Sequence, residues 1–301
     1  MAITKKKLLP LVVACVLLAT IGFSSTFYVT LALFMMPKKE RDNLEYFFHI
    51  LNAEHFPWVA KGIKPISTYY VLGDVEFFIK DSSRDLVSKQ EELFWTLHPI
   101  NARFRAGRTA WEKYSWMFPT RKIKIISGLP SVAPSYETIM IINVEAIRRV
   151  IQEEYQLFIE VFGPSFNVNS FIKRLINAPE DYEKIVQGNH CLMGILYGYG
   201  KDNAKAFQQR EEPYSFLLPP YNKHYLRKEE DKQPIAFERF LKGHIPYNRY
   251  YPLFRPPGFM VIPNSKETKA LEERYLHFFK VISQEKENQS ELKWSLLQFV
   301  N

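Results

Sequence analysis

The apolar positions of this chain follow three patterns, and each predicts a different kind of element. The first is a block: Leu8 to Met36 is 29 residues without a charge, longer than the roughly 20 residues that span a bilayer. The second is helical spacing. Leu44, Phe47, Phe48 and Leu51 recur at i, i+3, i+4 and i+7 and predict an amphipathic helix just outside a membrane. Leu86, Gln90, Leu93, Phe94 and Leu97 predict another, ended before Pro99. Ile147, Val150, Ile151, Phe158 and Val161 predict a third, read as one helix closed by Gly163-Pro164. Further helices are expected over 168–177, 180–197 and 203–212, followed by an irregular Pro/Tyr-rich stretch from 213 to 258.

The third pattern is the short β-branched or aromatic run. Tyr69–Leu72 and Val75–Ile79, separated by Gly73-Asp74, predict strand material or a hairpin. Arg121–Ile126 and Thr138–Ile142 predict two neighbouring strands, and Gly258–Ile262 a short one. Two capping boxes complete the outline. Thr109-Ala110-Trp111-Glu112 would open a short helix ending at Pro119, and Asn264-Ser265-Lys266-Glu267, with Asn264 as cap, a helix carrying Leu271, Tyr275, Phe278 and Ile282. Strands and helices follow one another in mixed order, so the expected class is α+β rather than a doubly wound sheet. Residues 1–36 are read as a membrane anchor or signal segment, and 37–301, where no linker or repeat intervenes, as a single soluble α+β domain.

Lys5, Lys6 and Lys7 before the apolar block favour a cytoplasmic N-terminus and an extracytoplasmic domain, while Lys38, Lys39 and Arg41 after it act the other way. A retained single-pass anchor is the preferred reading, because apolar character continues from Phe27 to Met36 past any small-residue cut such as Gly22-Phe23-Ser24. A cleaved signal peptide is the first alternative. Lipoprotein processing before Cys15 is the second.

Composition narrows the chemistry. The chain has 12 glycines against 19 prolines, with 24 Phe and 17 Tyr, which suits an aromatic core and not a Gly-rich nucleotide fold. Two cysteines, Cys15 and Cys191, cannot make a disulfide framework or a Cys-based metal site. The net charge is +8, but residues 1–43 hold six basic and two acidic residues, so half of the excess flanks the apolar block. This argues against nucleic acid as the partner. No GxSxG, HExxH, Walker or CxxC motif is present, so nucleophilic, zinc and nucleotide chemistry have no anchor in the sequence, catalytic residues stay unassigned, and no metal or cofactor is expected. His190 and Cys191 are neighbours in sequence, but adjacent helical residues do not face each other. Asp74 and Glu76 would share a strand face as a carboxylate pair, but nothing else in the sequence marks them, and a solvated hairpin tip is the preferred reading. His224 and His244 lack ligand spacing.

Two segments carry candidate anion chemistry. In 187–212 a helix breaks at Gly198-Tyr199-Gly200, and a new one bears Asn203, Phe207 and Arg210 at i, i+4 and i+7, beside helix-start amides. The preferred reading of Gly198 and Gly200 is a tight turn between two packed helices, with Arg210 and Glu211 in a local ion pair. In 101–124, Arg103, Arg105, Arg108, Lys113, Arg121, Lys122 and Lys124 face Glu112 alone, with Phe104, Trp111, Tyr114, Trp116 and Phe118 interleaved. If that segment were extended, Arg103 and Arg105 would lie on one side as a clamp for phosphate or carboxylate. An aromatic helix with a solvated basic edge gives the same composition.

The segments LHPINARFRAGRTAWEKY (97–114), INVEAIRRVI (142–151), GILYGYGKDNAKAFQQRE (194–211) and NSKETKALEERY (264–275) together resemble a group of uncharacterised proteins from chlamydia-like obligate intracellular bacteria. The resemblance implies a bacterial, envelope-associated protein and transfers no activity. The expectation is therefore a binding or scaffolding protein at the envelope. It would contact the bilayer through residues 8–36 and take an anionic ligand or an envelope protein at Arg103, Arg105, Arg108, Gly198, Gly200, Asn203 and Arg210. A hydrolase or transferase acting on an anionic envelope or lipid substrate is the alternative.

Overall fold

Ile139, Met140, Ile141 and Ile142 are all buried, and a strand with no polar face needs cover on both sides. This run decides the architecture. The computed structural model describes residues 25–72, 101–120, 122–130, 136–179, 182–211, 235–236, 260–262, 265–287 and 289–300. It contains a three-stranded antiparallel sheet in which β3 (Tyr136–Asn143) lies between β1 (Ile66–Leu72) and β2 (Ile123–Pro130). Ile66 pairs with Ile142 on one side and Ile125 with Ile141 on the other, with a register shift between Ile126 and Leu129.

Alternate residues of β3 feed two cores. Ile139 and Ile141 join the first, built with α1 (Ser25–Met35), α2 (Lys38–Glu54), α3 (Phe56–Ala60), and α4 over 101–114. Met140 and Ile142 join the second, built with α5 (Val144–Glu153), α6 (Tyr155–Phe162), α7 (Val168–Asn177), α8 (Tyr182–Ile185) and α9 (His190–Leu196). After α10 (Lys201–Glu211) come a small β4 (Ile235–Ala236)–β5 (Met260–Val261) pair, then α11 (Lys266–Glu287) and α12 (Glu291–Val300), which return to the first core. The result is helices, sheet, helices: the mixed helix-and-sheet class expected. A two-residue alternation on one strand is thus read out as two separate hydrophobic layers.

The apolar block is where the structure corrects the sequence most. Its second half is a core element. Val29, Ala32 and Met36 are buried, α1 packs on α12, and Tyr28 donates its hydroxyl to the Met117 carbonyl at 2.6 Å. One face of the apolar run after residue 24 therefore serves domain packing, so the length of the run no longer separates a retained anchor from a cleaved leader. Among the described residues no helix is long and apolar enough to cross a membrane, and residues 8–24 lie outside them. Also outside are the predicted strand 75–79, the helix over 86–97, Asp74, Glu76, His224, His244 and most of 213–258.

Several boundaries move for identifiable reasons. Thr109 does not start a helix: α4 is already running at 101, and the Thr109 hydroxyl donates back to the Arg105 carbonyl at 3.1 Å. Phe104, Gly107, Ala110 and Trp111 already form one buried face there, a 3.6-residue period that outweighs the cap motif. The helix expected across 147–161 is two, hinged at Glu154 (φ −113°, ψ 27°), and the turn lets Phe158 and Phe162 meet Phe166 and Phe171 with ring centres 5.2–5.7 Å apart. Gly163 closes the second at φ +86°, as expected. The helix expected over 180–197 also splits, at Gln187 (φ +56°) and Gly188 (φ +65°), and restarts under an Asn189 cap. At α11 the cap is Ser265, whose Oγ accepts from the Thr268 amide at 3.0 Å; Asn264 lies outside the described residues. No predicted element covers α12, although Leu292, Leu296 and Phe299 follow helical spacing and are buried.

Candidate functional site

The turn between α9 and α10 was one candidate anion site, and the structure puts a carboxylate of the chain itself there. Glu267, on the first turn of α11, accepts the Asp202 amide at 3.1 Å and the Asn203 amide at 3.0 Å. Negative charge is favoured at a helix start, so the arrangement is the expected one with an internal ligand. Burial pushes the Glu267 carboxyl above its usual range, and the two amides pull it partly back. Asn203 is buried: its Nδ2 donates to the Tyr199 carbonyl at 2.9 Å, and its Oδ1 accepts the Ile262 amide at 2.8 Å.

Both glycines are required by geometry. Gly198 (φ +80°) sits against the α3–β1 loop, where a Cβ would lie 3.1 Å from the Ile63 carbonyl oxygen. At Gly200 (φ +84°) a Cβ would lie 2.6 Å from Glu267 Oε2. Gly200→Ala is expected to cost about 1 kcal/mol for the left-handed backbone and more for displacing Glu267. Urea unfolding of the two proteins measures it, and an unchanged midpoint would refute the account. Arg210 lies on α10, and its side chain is outside the described residues.

The second candidate segment divides. Because 101–114 is helical and not extended, Arg103 and Arg105 are about 200° apart around the axis and cannot form the clamp their spacing suggested. Arg103 stacks 4.5 Å over the Tyr46 ring, and Arg108 Nε lies 3.6 Å from Glu112. A groove lies at the other end of the segment, and none of the three arginines is among the residues that line it. It measures about 510 Å³, with walls of Trp111, Trp116 and Phe118 and an opposite side of Ile123, Lys124 and Ile125. Trp116 remains 56% exposed, whereas Trp111 and Phe118 are fixed in the first core, their rings 6.3 Å apart. The Lys124 ammonium donates to the Thr120 carbonyl at 3.1 Å, and Thr120 is also part of the wall. The aromatic residues and Lys124 were visible as an interleaved pattern. Their convergence needed the turn Ser115–Met117 and β2.

A buried polar cluster was not visible in the sequence. Between α2, α11 and α12, Lys286 is 6% exposed at its side chain, with Nζ 3.2 Å from Asn52 Oδ1, 3.5 Å from Glu291 Oε1 and 4.8 Å above the Trp294 ring. Glu291 in turn lies 2.8 Å from His49 Nδ1, and Asn52 Nδ2 donates to Ser295 Oγ at 2.7 Å. Burial pulls the Lys286 ammonium down to about 8, against the opposing pull of Glu291. Asn52 and Ser295 have no exposed surface, so the inner part of the cluster ties three helices together, while His49 at its outer end is half exposed. Cys191 is also buried, its thiol pushed up by burial, which suits packing and not nucleophilic work. Among the described residues no group of three or more His, Cys, Asp and Glu could hold a metal.

The fold and groove together define a mixed helix-and-sheet protein with an open aromatic cleft beside a sheet edge. No family model, curated protein or solved structure matches the chain.

Proposed function

We propose that this chain is a binding protein held at a bacterial envelope, with the groove between Trp116 and β2 as its ligand surface. The observation that carries this reading is the groove itself: about 510 Å³, within the range of ligand sites, apolar and aromatic with a few polar groups. Lys124 gives it a preference for negative charge, the class anticipated for the arginines further along the segment. The divergence of Arg103 and Arg105 around one helix supports binding over catalysis, since a reaction centre needs convergent groups. Residues 8–24 are the envelope attachment in this reading. They number 17 and carry no charge, the short end of what a bilayer requires, and they lead directly into α1, whose Phe27 and Phe34 are 46% and 81% exposed.

The anionic aromatic dye anilinonaphthalene sulfonate is a suitable probe of the groove. Native full-length protein should bind it, Trp116→Ala should reduce the affinity at least fivefold, and Lys124→Gln should weaken it and remove most of its salt dependence. Trp116→Ala should shift stability by no more than about 0.5 kcal/mol, as an exposed position. Dye binding identical in all three proteins would refute the groove. For the attachment, carbonate extraction with N-terminal sequencing should show a retained integral chain, and a soluble mature chain starting near residue 25 would refute it.

A further inference from the structure

The groove runs along a backbone edge. Ile123 and Ile125 contribute to it together with Lys124, yet consecutive strand residues send their side chains to opposite faces. What both parities share is the strand's outer edge. Among the described residues β2 is an end strand of the sheet order β1-β3-β2. The Val144 amide donates to the Lys122 carbonyl at 2.8 Å, which sets the phase of the ladder. With Lys124 opposite Ile142 and Ile125 opposite Ile141, antiparallel alternation turns the N–H and C=O of Lys124 toward β3 and those of Ile123 and Ile125 outward. Thr120 Oγ1 accepts the Ile123 amide at 3.1 Å. Among the described residues no group takes the Ile125 amide or carbonyl.

The charges point to the occupant. Two neighbouring cations have carboxylate partners on the surface: Lys113 lies 3.1 Å from Glu40 and Lys122 lies 3.4 Å from Glu145. Lys124 is the cation in the groove wall; its contact there is the Thr120 carbonyl, with no carboxylate among the described residues, and no Asp or Glu lines the groove.

We infer that the outer edge of β2 takes an extended acidic peptide of a partner protein as a fourth strand. The inference rests on the groove being the ligand surface. In this arrangement the peptide exchanges main-chain hydrogen bonds with Ile125, which provides affinity without sequence preference. Alternate side chains supply the specificity. One apolar side chain lies between Trp116 and Phe118, and a carboxylate reaches Lys124.

The test is selection of displayed twelve-residue random peptides on the full-length protein in detergent, followed by fluorescence anisotropy of the winners. Selected peptides should be enriched in Asp and Glu within an alternating apolar pattern. Lys124→Gln should weaken them at least tenfold, and Trp116→Ala likewise. Single N-methylation along the peptide should abolish binding with a two-residue period, because only every second amide faces β2. Peptides that need Trp116 but show no such period would overturn strand addition and leave the groove reading intact. Peptides indifferent to Trp116→Ala would overturn both. Failure to enrich any peptide, with the anionic dye still dependent on Trp116, would overturn the peptide and keep the groove. A concentration-dependent dimer in ultracentrifugation, dissolved by Lys124→Glu, would assign the edge to a second copy of this chain and overturn the acidic partner.

Discussion

Replacing Gly107 by alanine is expected to lower the unfolding free energy by about 3 kcal/mol, the upper end of the usual range for overpacking. The residue sits where α4 crosses α2, and an added Cβ would run into the Asn43 carbonyl oxygen and come within 2.6 Å of Phe47 Cβ. The first obstacle is backbone, so no side-chain rotation relieves it. The helices must separate, and that opens the Phe47–Phe104 and Phe48–Trp111 ring contacts, now at 5.1 and 5.3 Å between centres. Alanine gains about 1 kcal/mol over glycine in helix propensity, which is too little to offset this. Because Trp111 is also a wall of the groove, dye binding should fall together with stability. Urea denaturation at neutral pH is the measurement, and a Gly107→Ala protein as stable as the native one would refute the close crossing.

The second large effect is in alkaline solution. The unfolded chain keeps Lys286 protonated up to its ordinary pKa of 10.5, whereas in the fold burial brings the value to about 8. Between these limits the unfolded state holds the extra proton, so stability should rise with pH across this window, by about 3 kcal/mol when complete. Below pH 8 the cost of the buried ammonium is present in full. Two other groups act in the opposite direction higher up. Burial raises Tyr182 and Tyr275 well above 10, so the unfolded chain loses their protons first and stability declines beyond pH 10. A maximum near pH 10 is the net expectation. In Lys286→Met the alkaline rise should vanish. At pH 7 the variant should match the native protein within about 1 kcal/mol, because Glu291 retains His49 and a buried ion pair gives little net stability over an apolar group. Urea midpoints at half-unit steps from pH 7 to 10 decide this, and a flat native profile would refute it.

What could be read from the sequence follows physical range. Where a local rule was also the global one, the reading held: the 3.6-residue stripe of Leu44, Phe47, Phe48 and Leu51 became the buried face of α2, and the Ile-rich runs around 121–126 and 138–142 became paired strands. Composition likewise anticipated an aromatic first core. The caps were ambiguous because their residue types recur for other reasons. Thr109 and Glu112 lie within a helix, and Glu267 serves the start of a different helix, 64 residues away from Asn203. The candidate site shows the same limit. Cations and aromatics along 101–124 were evident as types. Which of them converge depends on whether the segment is helical or extended, and the buried period of Phe104, Gly107 and Trp111 against α2 settles that. So the sequence by itself determined the amphipathic elements and their class, because hydrophobic periodicity is a property of neighbours along the chain. Only the tertiary structure decided that the end of the apolar block packs in the core, that Lys286 is buried, that Glu267 fills the amides beside Gly200, and that Trp116 lines a groove with β2. Each of these depends on contacts between residues far apart in the chain, whose pairing no local pattern encodes.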